Sequence, residues 1–251
     1  NLYDMKKQIG FLLFLFYFTF SFAQKVEIQT LLKDQISIRA LQIYDDKVWY
    51  AGTDSKFGFV SLKDSADKKQ MKLSDEKLEF RTLAQDRKYF YTINILSPAY
   101  LFRIDKKTLK SNLISTDTIK TAFFDSFIFD KFDRGIAISD PCVDGGFNGK
   151  IFGEKPESIN KKNSFPKYFP GEAHFAASNT NIATNSGKVW IATGGMTARI
   201  FKFSWNNPTK WQVFETPFIQ GTSSQGIYSI DFYNKNFGIA VGGDYTQQAE
   251  N

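Results

Sequence analysis

The sequence predicts an all-β fold, a β-propeller of four-stranded blades, on three observations. A two-stranded motif recurs at a near-constant interval. Weaker strand pairs fill the gaps between its copies. No long stretch carries the 3.6-residue periodicity of an amphipathic helix. The chain has 251 residues, 42% of them hydrophobic and 23% charged. That supports a substantial core and is unlike a disordered or disulfide-framework composition.

Each copy of the motif is an alternating apolar stretch, a polar turn, and a second β-rich stretch ending in small residues. The copies are Arg39–Gly52, Phe80–Ile93, Asp125–Ser139, Phe175–Gly194 and Tyr228–Gly242. Aligned on Trp49, Phe90, Ile136, Trp190 and Ile239, they lie 41, 46, 54 and 49 residues apart, a mean of 47.5, which is the length of a propeller blade. Runs such as Val48-Trp49-Tyr50-Ala51 suit strands buried between neighbouring blades. The turns run through Asp, Asn, Lys or Gly, which tolerate tight backbone geometry. Lys56–Leu62, Tyr100–Ile104, Lys150–Phe152, Ala198–Phe203 and Trp211–Phe214 read as third and fourth strands. Leu73–Leu83 fits either a helical turn or an outer loop and strand. The Pro-, Lys- and Asn-rich stretch Lys155–Pro170 predicts a loop on one face of the disc and accounts for the longest interval.

The N-terminus reads as a secretory signal. Met5-Lys6-Lys7 supplies a start and a positive charge, Ile9–Phe22 is almost purely apolar, and Ser21 and Ala23 are the small residues a signal peptidase needs. The apolar run is short for a membrane span, so the expectation is cleavage between Ala23 and Gln24 and a periplasmic or extracellular product, with membrane attachment only through an uncleaved signal. Residues 1–23 are then upstream residues plus signal, and residues 24–251 the propeller domain. Cys142 is the single thiol, so no internal disulfide is available.

Lys and Arg number 32 against 26 Asp and Glu, a net charge of +6. The lysines are scattered, in pairs at most (Lys68-Lys69, Lys106-Lys107, Lys161-Lys162), which argues for a solvated surface and against a nucleic-acid motif. One His and one Cys rule out most metal sites built from those ligands. An oxygen-ligand set from Asp140, Asp144 and Asn148 does not fit EF-hand spacing.

Residues Phe123–Tyr245 carry a resemblance. Phe124-Asp125-Ser126 with Arg134-Gly-Ile-Ala-Ile-Ser-Asp-Pro141, Pro170-Gly-Glu-Ala-His-Phe-Ala-Ala-Ser178, Trp190–Gly195 with Ala198-Arg199-Ile-Phe201, and Gly226–Ile230 with Gly238–Tyr245 resemble the propeller family of photosystem II stability and assembly factor-like proteins. The likeness is to its non-photosynthetic bacterial branch, often labelled oxidoreductase. It implies a sialidase-like, Asp-box propeller of seven blades, roughly 330 residues at this period. On that expectation the sequence is truncated in the fifth blade. The Asp-box turns survive only as remnants, Ser204–Trp211 and Arg103–Thr108.

No catalytic constellation stands out. There is no Gly-x-Gly-x-x-Gly opening a helix, no Cys pair and no haem motif, so no cofactor is expected and the oxidoreductase label finds no residue to support it. His174, the lone histidine, reads as an ordinary residue without a catalytic role. Asp125, Asp140, Glu172, Arg199, Asp244 and Tyr245 recur beside the innermost strands and are the candidate binding face of a central funnel. The expected function is an exported binding or scaffold protein of the cell envelope that assists assembly of another protein, with a protein or glycan partner. The alternative is a glycan-acting hydrolase on a sialidase-like propeller.

Overall fold

The computed structural model describes residues 26–153 and 165–250. The signal segment and residues 155–164 of the insertion lie outside them. The chain divides into residues 1–33 and 34–251; the described part of the first unit, 26–33, is irregular. Among its described residues the second unit is strand and loop apart from a short 3-10 turn at Gln248–Glu250.

The first sheet is β1 (Ile38–Tyr44), β2 (Lys47–Gly52), β3 (Lys56–Ser61) and β4 (Lys68–Lys72), antiparallel in sequence order. The second repeats the plan with β5 (Ala84–Gln85), β6 (Tyr89–Ile93), β7 (Ala99–Asp105) and β8 (Ser111–Asp117). The third has three described strands, β9 (Phe124–Phe129), β10 (Gly135–Ser139) and β11 (Asn148–Phe152). The chain then forms β12 (Glu172–Ala173), β13 (Ile182–Asn185), β14 (Lys188–Ala192), β15 (Gly194–Gly195), β16 (Arg199–Ser204) and β17 (Asn207–Glu215). Of these, β13-β14-β16-β17 make the fourth blade. The fifth is the hairpin of β18 (Gln225–Phe232) and β19 (Gly238–Asp244), extended by β15 and β12. Glycine permits that junction: a Cβ on Gly226 would lie 2.4 Å from the Gly194 Cα.

Local chemistry explains the hairpins. Asp45 and Asp46 take φ of 53° and 52° between the paired Tyr44 and Lys47, and Ser186-Gly187 do the same in the fourth blade at 50° and 73°. These are the two-residue turns whose twist matches that of the strands. Elsewhere a side-chain oxygen folds the turn. Asp86 accepts from the N–H groups of Lys88 and Tyr89, Asp130 from Phe132 and Arg134, and Asn234 from Asn236 and Phe237.

The core lies between consecutive sheets. Trp49, Phe57 and Phe59 of the first meet Phe80, Phe90 and Phe102 of the second. Tyr91, Ile93 and Leu101 meet Phe124, Phe127 and Ala137 of the third. Ile136, Ile138 and Ile151 meet Ile182, Val189 and Phe201 of the fourth, and Trp190 stacks on Phe232 of the fifth at 3.9 Å. Neighbours along β6, β10 and β14 therefore enter different cores, which is why the second strands read as unbroken apolar runs.

The innermost strands are tied in sequence. The Gln42 side-chain amide donates to the Leu83 carbonyl, and Gln85 donates back to Gln42 and to the Ile43 carbonyl. The Asn179 amide donates to the Leu83 and Phe127 carbonyls while its oxygen accepts from the Phe127 N–H at 2.7 Å, joining three blades. Ile230 N–H donates to Thr180 O across the fourth and fifth.

Candidate functional site

Two sets of loops leave the sheets at opposite ends. At the end where innermost strands begin, loops join second to third strands and one blade to the next. All six candidate residues lie there, and the structure places four of them inside. Asp125 is fully buried, and Glu172, Arg199 and Asp244 are nearly so. Asp140 is partly exposed and Tyr245 half exposed.

A strap, residues 165–175, ties Asp140, Glu172 and Arg199 together as it crosses the starts of the third and fourth blades. It is held by Tyr168 N–H on Gly145 O, Met196 N–H on Gly171 O, and the short β12–β15 pairing. Beneath it, Arg199 forks onto Glu172, Nε to Oε1 at 3.0 Å and Nη2 to Oε2 at 2.6 Å. Glu172 also accepts from the Thr193 hydroxyl at 2.6 Å and the Phe169 N–H at 2.9 Å. Arg199 reaches Lys167 O and lies over the Phe169 ring. Every charge in this pair is answered.

His174 is the next layer. Its Nδ1 lies 2.9 Å from the Ala192 carbonyl, which can only accept, so Nδ1 carries the proton and Nε2 accepts from the Tyr168 hydroxyl at 2.8 Å. Burial depresses the imidazole pKa to about 4, so the ring is neutral at physiological pH. The ring is buried and both of its nitrogens are satisfied. The His174 N–H donates to Asp140 at 3.1 Å. Burial nevertheless lifts the Asp140 carboxyl to about 6.

Asp125 differs from these. In the β9–β10 ladder Ile138 faces Ser126 and Ser139 faces Phe124, so Asp125 is the extra residue of a β-bulge. Neither carboxylate oxygen has a hydrogen-bond partner. Burial first, then the neighbouring Asp140 charge, pushes its pKa well up, with Arg81 opposing.

Asp244 and Tyr245 belong to a separate neighbourhood on the fifth blade. Asp244 caps the turn after β19, accepting from the Thr246 N–H and hydroxyl and from Gln225, and these bonds hold its pKa down at about 2. The Tyr245 ring sits near Phe175 and Tyr228.

The same end carries a feature that residue-type searching missed. Leu96, Val143, Phe169, Met196, Ile219 and Tyr245 protrude from six different loops of the second to fifth blades, from 49% exposed at Ile219 to 92% at Val143. Their loops are braced. Asn94 donates to Leu96 O and Pro98 O and accepts from Tyr100 N–H. Gly221 N–H bonds Gly195 O, and the Gln220 side chain accepts from Ala198 N–H. Residues 94–99, 193–198, 216–225 and 245–248 contain no Asp, Glu, Lys or Arg. Those uncharged runs are the sequence signal that could have found Leu96, Met196, Ile219 and Tyr245; Val143 sits beside Asp144, and Phe169 between Lys167 and Glu172. The loops of the opposite end carry Asp45-Asp46-Lys47, Asp86-Arg87-Lys88, Asp105-Lys106-Lys107 and Asp130-Lys131, with Leu62, Phe132, Tyr233 and Phe237 also exposed there; at the tip-bearing end the charges Asp54, Asp75-Glu76-Lys77 and Lys120 belong to the loops of the first two blades.

No protein-family profile and no curated protein matches the sequence. Solved structures do. The RRP9 WD40 repeats superpose with a TM-score of 0.54 at 14% identity, covering 84% of this chain and 59% of that one. U3-55K gives 0.53 at 15%, covering 84% and 60%. The extracellular domain of a putative hybrid two component system from B. thetaiotaomicron gives 0.53 at 13%, covering 85% and 27%. The chain folds as a β-propeller. It spans about 60% or less of these propeller-bearing chains, and at such identities the likeness speaks to fold alone. Among the described residues no group of three His, Cys, Asp or Glu converges as a metal set.

Proposed function

We propose that the chain is an exported protein-binding scaffold that engages its partner through the propeller end bearing Leu96, Val143, Phe169, Met196, Ile219 and Tyr245. The observation that carries this reading is the set of six exposed apolar tips on one end, four of them (Leu96, Met196, Ile219 and Tyr245) on loops without a charged residue. Large apolar side chains held out on ordered backbone mark interaction surfaces, whose centres are depleted in charge. The Met5–Ala23 segment supports export to the periplasm or exterior. The resemblance of Phe123–Tyr245 to assembly factor-like propellers supports a role in assembling another protein of the cell envelope. One structure with the same fold, at a TM-score of 0.51, is a chain of a Mitotic Checkpoint Complex, a propeller held within an assembly.

Site-specific photo-crosslinking in cells tests this. A photoreactive residue at Leu96 or Met196 should give a discrete protein adduct, and one at Lys107 or Asn206, on the opposite end, should not. Adducts of equal yield at both ends, or at neither, would sink the reading. The hydrolase alternative rests on Asp140, a partly exposed carboxyl lifted to about 6 beside a second carboxyl, the asymmetry an acid/base pair needs. Turnover of fluorogenic glycosides that disappears in Asp140→Asn would favour it.

A further inference from the structure

Four of the six apolar tips differ from the other two in what holds them. Leu96 is braced by Asn94 and by its bridge to Phe123, and Tyr245 by its N–H on Ser224 O and by the Asp244 turn of its own blade. Val143, Phe169, Met196 and Ile219 are laced to one another. Val143 stands in the turn that Gly145 N–H closes on Cys142 O, and Tyr168 N–H of the strap donates to Gly145 O at 3.0 Å. Phe169 follows Tyr168 on the strap. Met196 N–H donates to Gly171 O, two residues further along, at 3.0 Å. Gly221 N–H then donates to Gly195 O at 3.0 Å, and the Gln220 side chain accepts from Ala198 N–H at 2.8 Å, which ties the Ile219 loop to the Met196 loop. Each loop is bonded to the next.

The spacing of these tips is set from beneath. The Arg199 guanidinium, fixed by Glu172, lies 4.2 Å from the centroid of the Phe169 ring. Gly171 and Gly195 take φ of 75° and 87° where the strap meets the Met196 loop. A Cβ on Gly171 would lie 2.5 Å from the Met196 Cγ, and one on Gly195 2.3 Å from the Gly171 carbonyl oxygen. Only glycine allows both that backbone and that approach. Apolar side chains already fixed in place lose little freedom on binding, which is what concentrates affinity at the centre of an interface. Among the described residues of the loops 140–147, 165–175, 193–198 and 216–225 the exposed charges are Asp144 and Lys167, which are opposite in sign. Nothing on these loops favours a charged partner.

We propose that Val143, Phe169, Met196 and Ile219 form one preorganised contact patch, that Gly171 and Gly195 are the positioning residues that set its spacing, and that it fits a protein whose own patch is apolar and without net charge. This inference rests on the docking face proposed above.

A photoreactive residue at Leu96, outside the laced set, reports partner occupancy in cells. Gly195→Ala keeps all four laced side chains but forces the strap off the Met196 loop, and should lower the Leu96 adduct about fivefold or more. Gly58→Ala is the matched control on the first blade, where a Cβ would meet Lys69 O at the same 2.3 Å. It should lower Tm and leave the adduct within about twofold of wild type. Gln220→Ala, at an exposed side chain, keeps the test open if Gly195→Ala does not fold, and should lower the adduct roughly threefold. Val143→Lys and Val143→Glu should lower it alike, because either charge would be desolvated without a partner. An adduct unchanged in Gly195→Ala and Gln220→Ala would overturn the laced patch and leave the docking face standing. So would an equal loss in Gly58→Ala. A rise with one of the two Val143 charges would overturn the uncharged partner. Absence of any Leu96 adduct in the otherwise unaltered chain would overturn this inference and the docking face together.

Discussion

Glu172 and Asp125 are carboxylates buried at the same end of the molecule, and they are held in opposite ways. Glu172 accepts four hydrogen bonds, two of them from the Arg199 guanidinium. Asp125 accepts none. Burial alone therefore does not say what an acid is for. A satisfied buried ion pair fixes geometry, here the strap across the third and fourth blades. An unsatisfied one is where a proton, an ion or a ligand belongs.

The largest expected effect breaks the satisfied member. Arg199→Ala leaves Glu172 charged, buried and short of two donors, so it should cost about 3–5 kcal/mol in urea unfolding. Adding Glu172→Gln should recover much of that loss, because the stranded charge goes with it. A single-variant cost under about 1 kcal/mol would mean that the strap yields and admits water to Glu172.

This comparison also shows how far the sequence could be read. Blade spacing was legible in the first four blades because their second strands bury both faces, so Trp49, Phe90, Ile136 and Trp190 announce themselves, whereas Ile239 on β19 of the fifth is exposed. The outer strands β4 and β8 were not. Lys68–Lys72 and Ser111–Asp117 lie mostly open to solvent, and nothing there selects apolar alternation. Leu73–Leu83, ambiguous in sequence, is irregular chain whose Phe80 bridges to Asn94. The candidate residues were placed at one common end by their position in the repeat. The burial of Glu172 and Arg199 was invisible, because it depends on the strap folding back through Tyr168 and His174, a contact that no periodicity encodes. Asp125 looked like any strand-end aspartate until its bulge was seen.

The second prediction sharpens the comparison through pH. Asp140 has a folded pKa of about 6 against 3.8 for the free group, so it favours the folded state fully below pH 3.8 and loses that contribution as pH rises through 6. His174 runs the other way, about 4 against 6.5. Its neutral ring favours the folded state above pH 6.5, and that contribution is lost as pH falls through 4. In the wild type the two oppose each other between pH 4 and 6. Asp140→Asn removes one arm, so stability should fall more steeply from pH 6.5 to 4, by about 2–3 kcal/mol relative to wild type over that window. Parallel curves for the two proteins would place the Asp140 carboxyl in water.

A third variant tests a neutral, fully paired group. Asn179→Ala strands the Phe127 N–H and removes the donor to Leu83 O, and should cost about 1–2 kcal/mol. Hydrogen exchange should quicken first at Phe127 and along β9, not in the first blade. Uniform acceleration would mean that the innermost strands open as one unit.

The smallest expected effect on stability lies at the apolar tips, where the contrast is with the whole buried end beneath them. Met196→Asp and Leu96→Asp change side chains that are about half exposed while leaving the backbone bonds of Met196 to Gly171 and of Asn94 to Leu96 in place. Unfolding should move by no more than about 0.5 kcal/mol. Crosslinked adduct at the neighbouring tip should nevertheless fall severalfold, because a charge at the centre of an apolar interface must be desolvated without a partner. Lys107→Asp, an equal or larger change of charge at the other end, should leave the adduct untouched. If Met196→Asp unfolds the protein as Arg199→Ala does, the tips belong with Glu172 as parts of the strap's own packing. If it leaves both stability and adduct unchanged, the partner docks elsewhere, and the exposed faces of β1 and β19, with Leu41, Ile43, Ile239 and Val241, become the surfaces to label next.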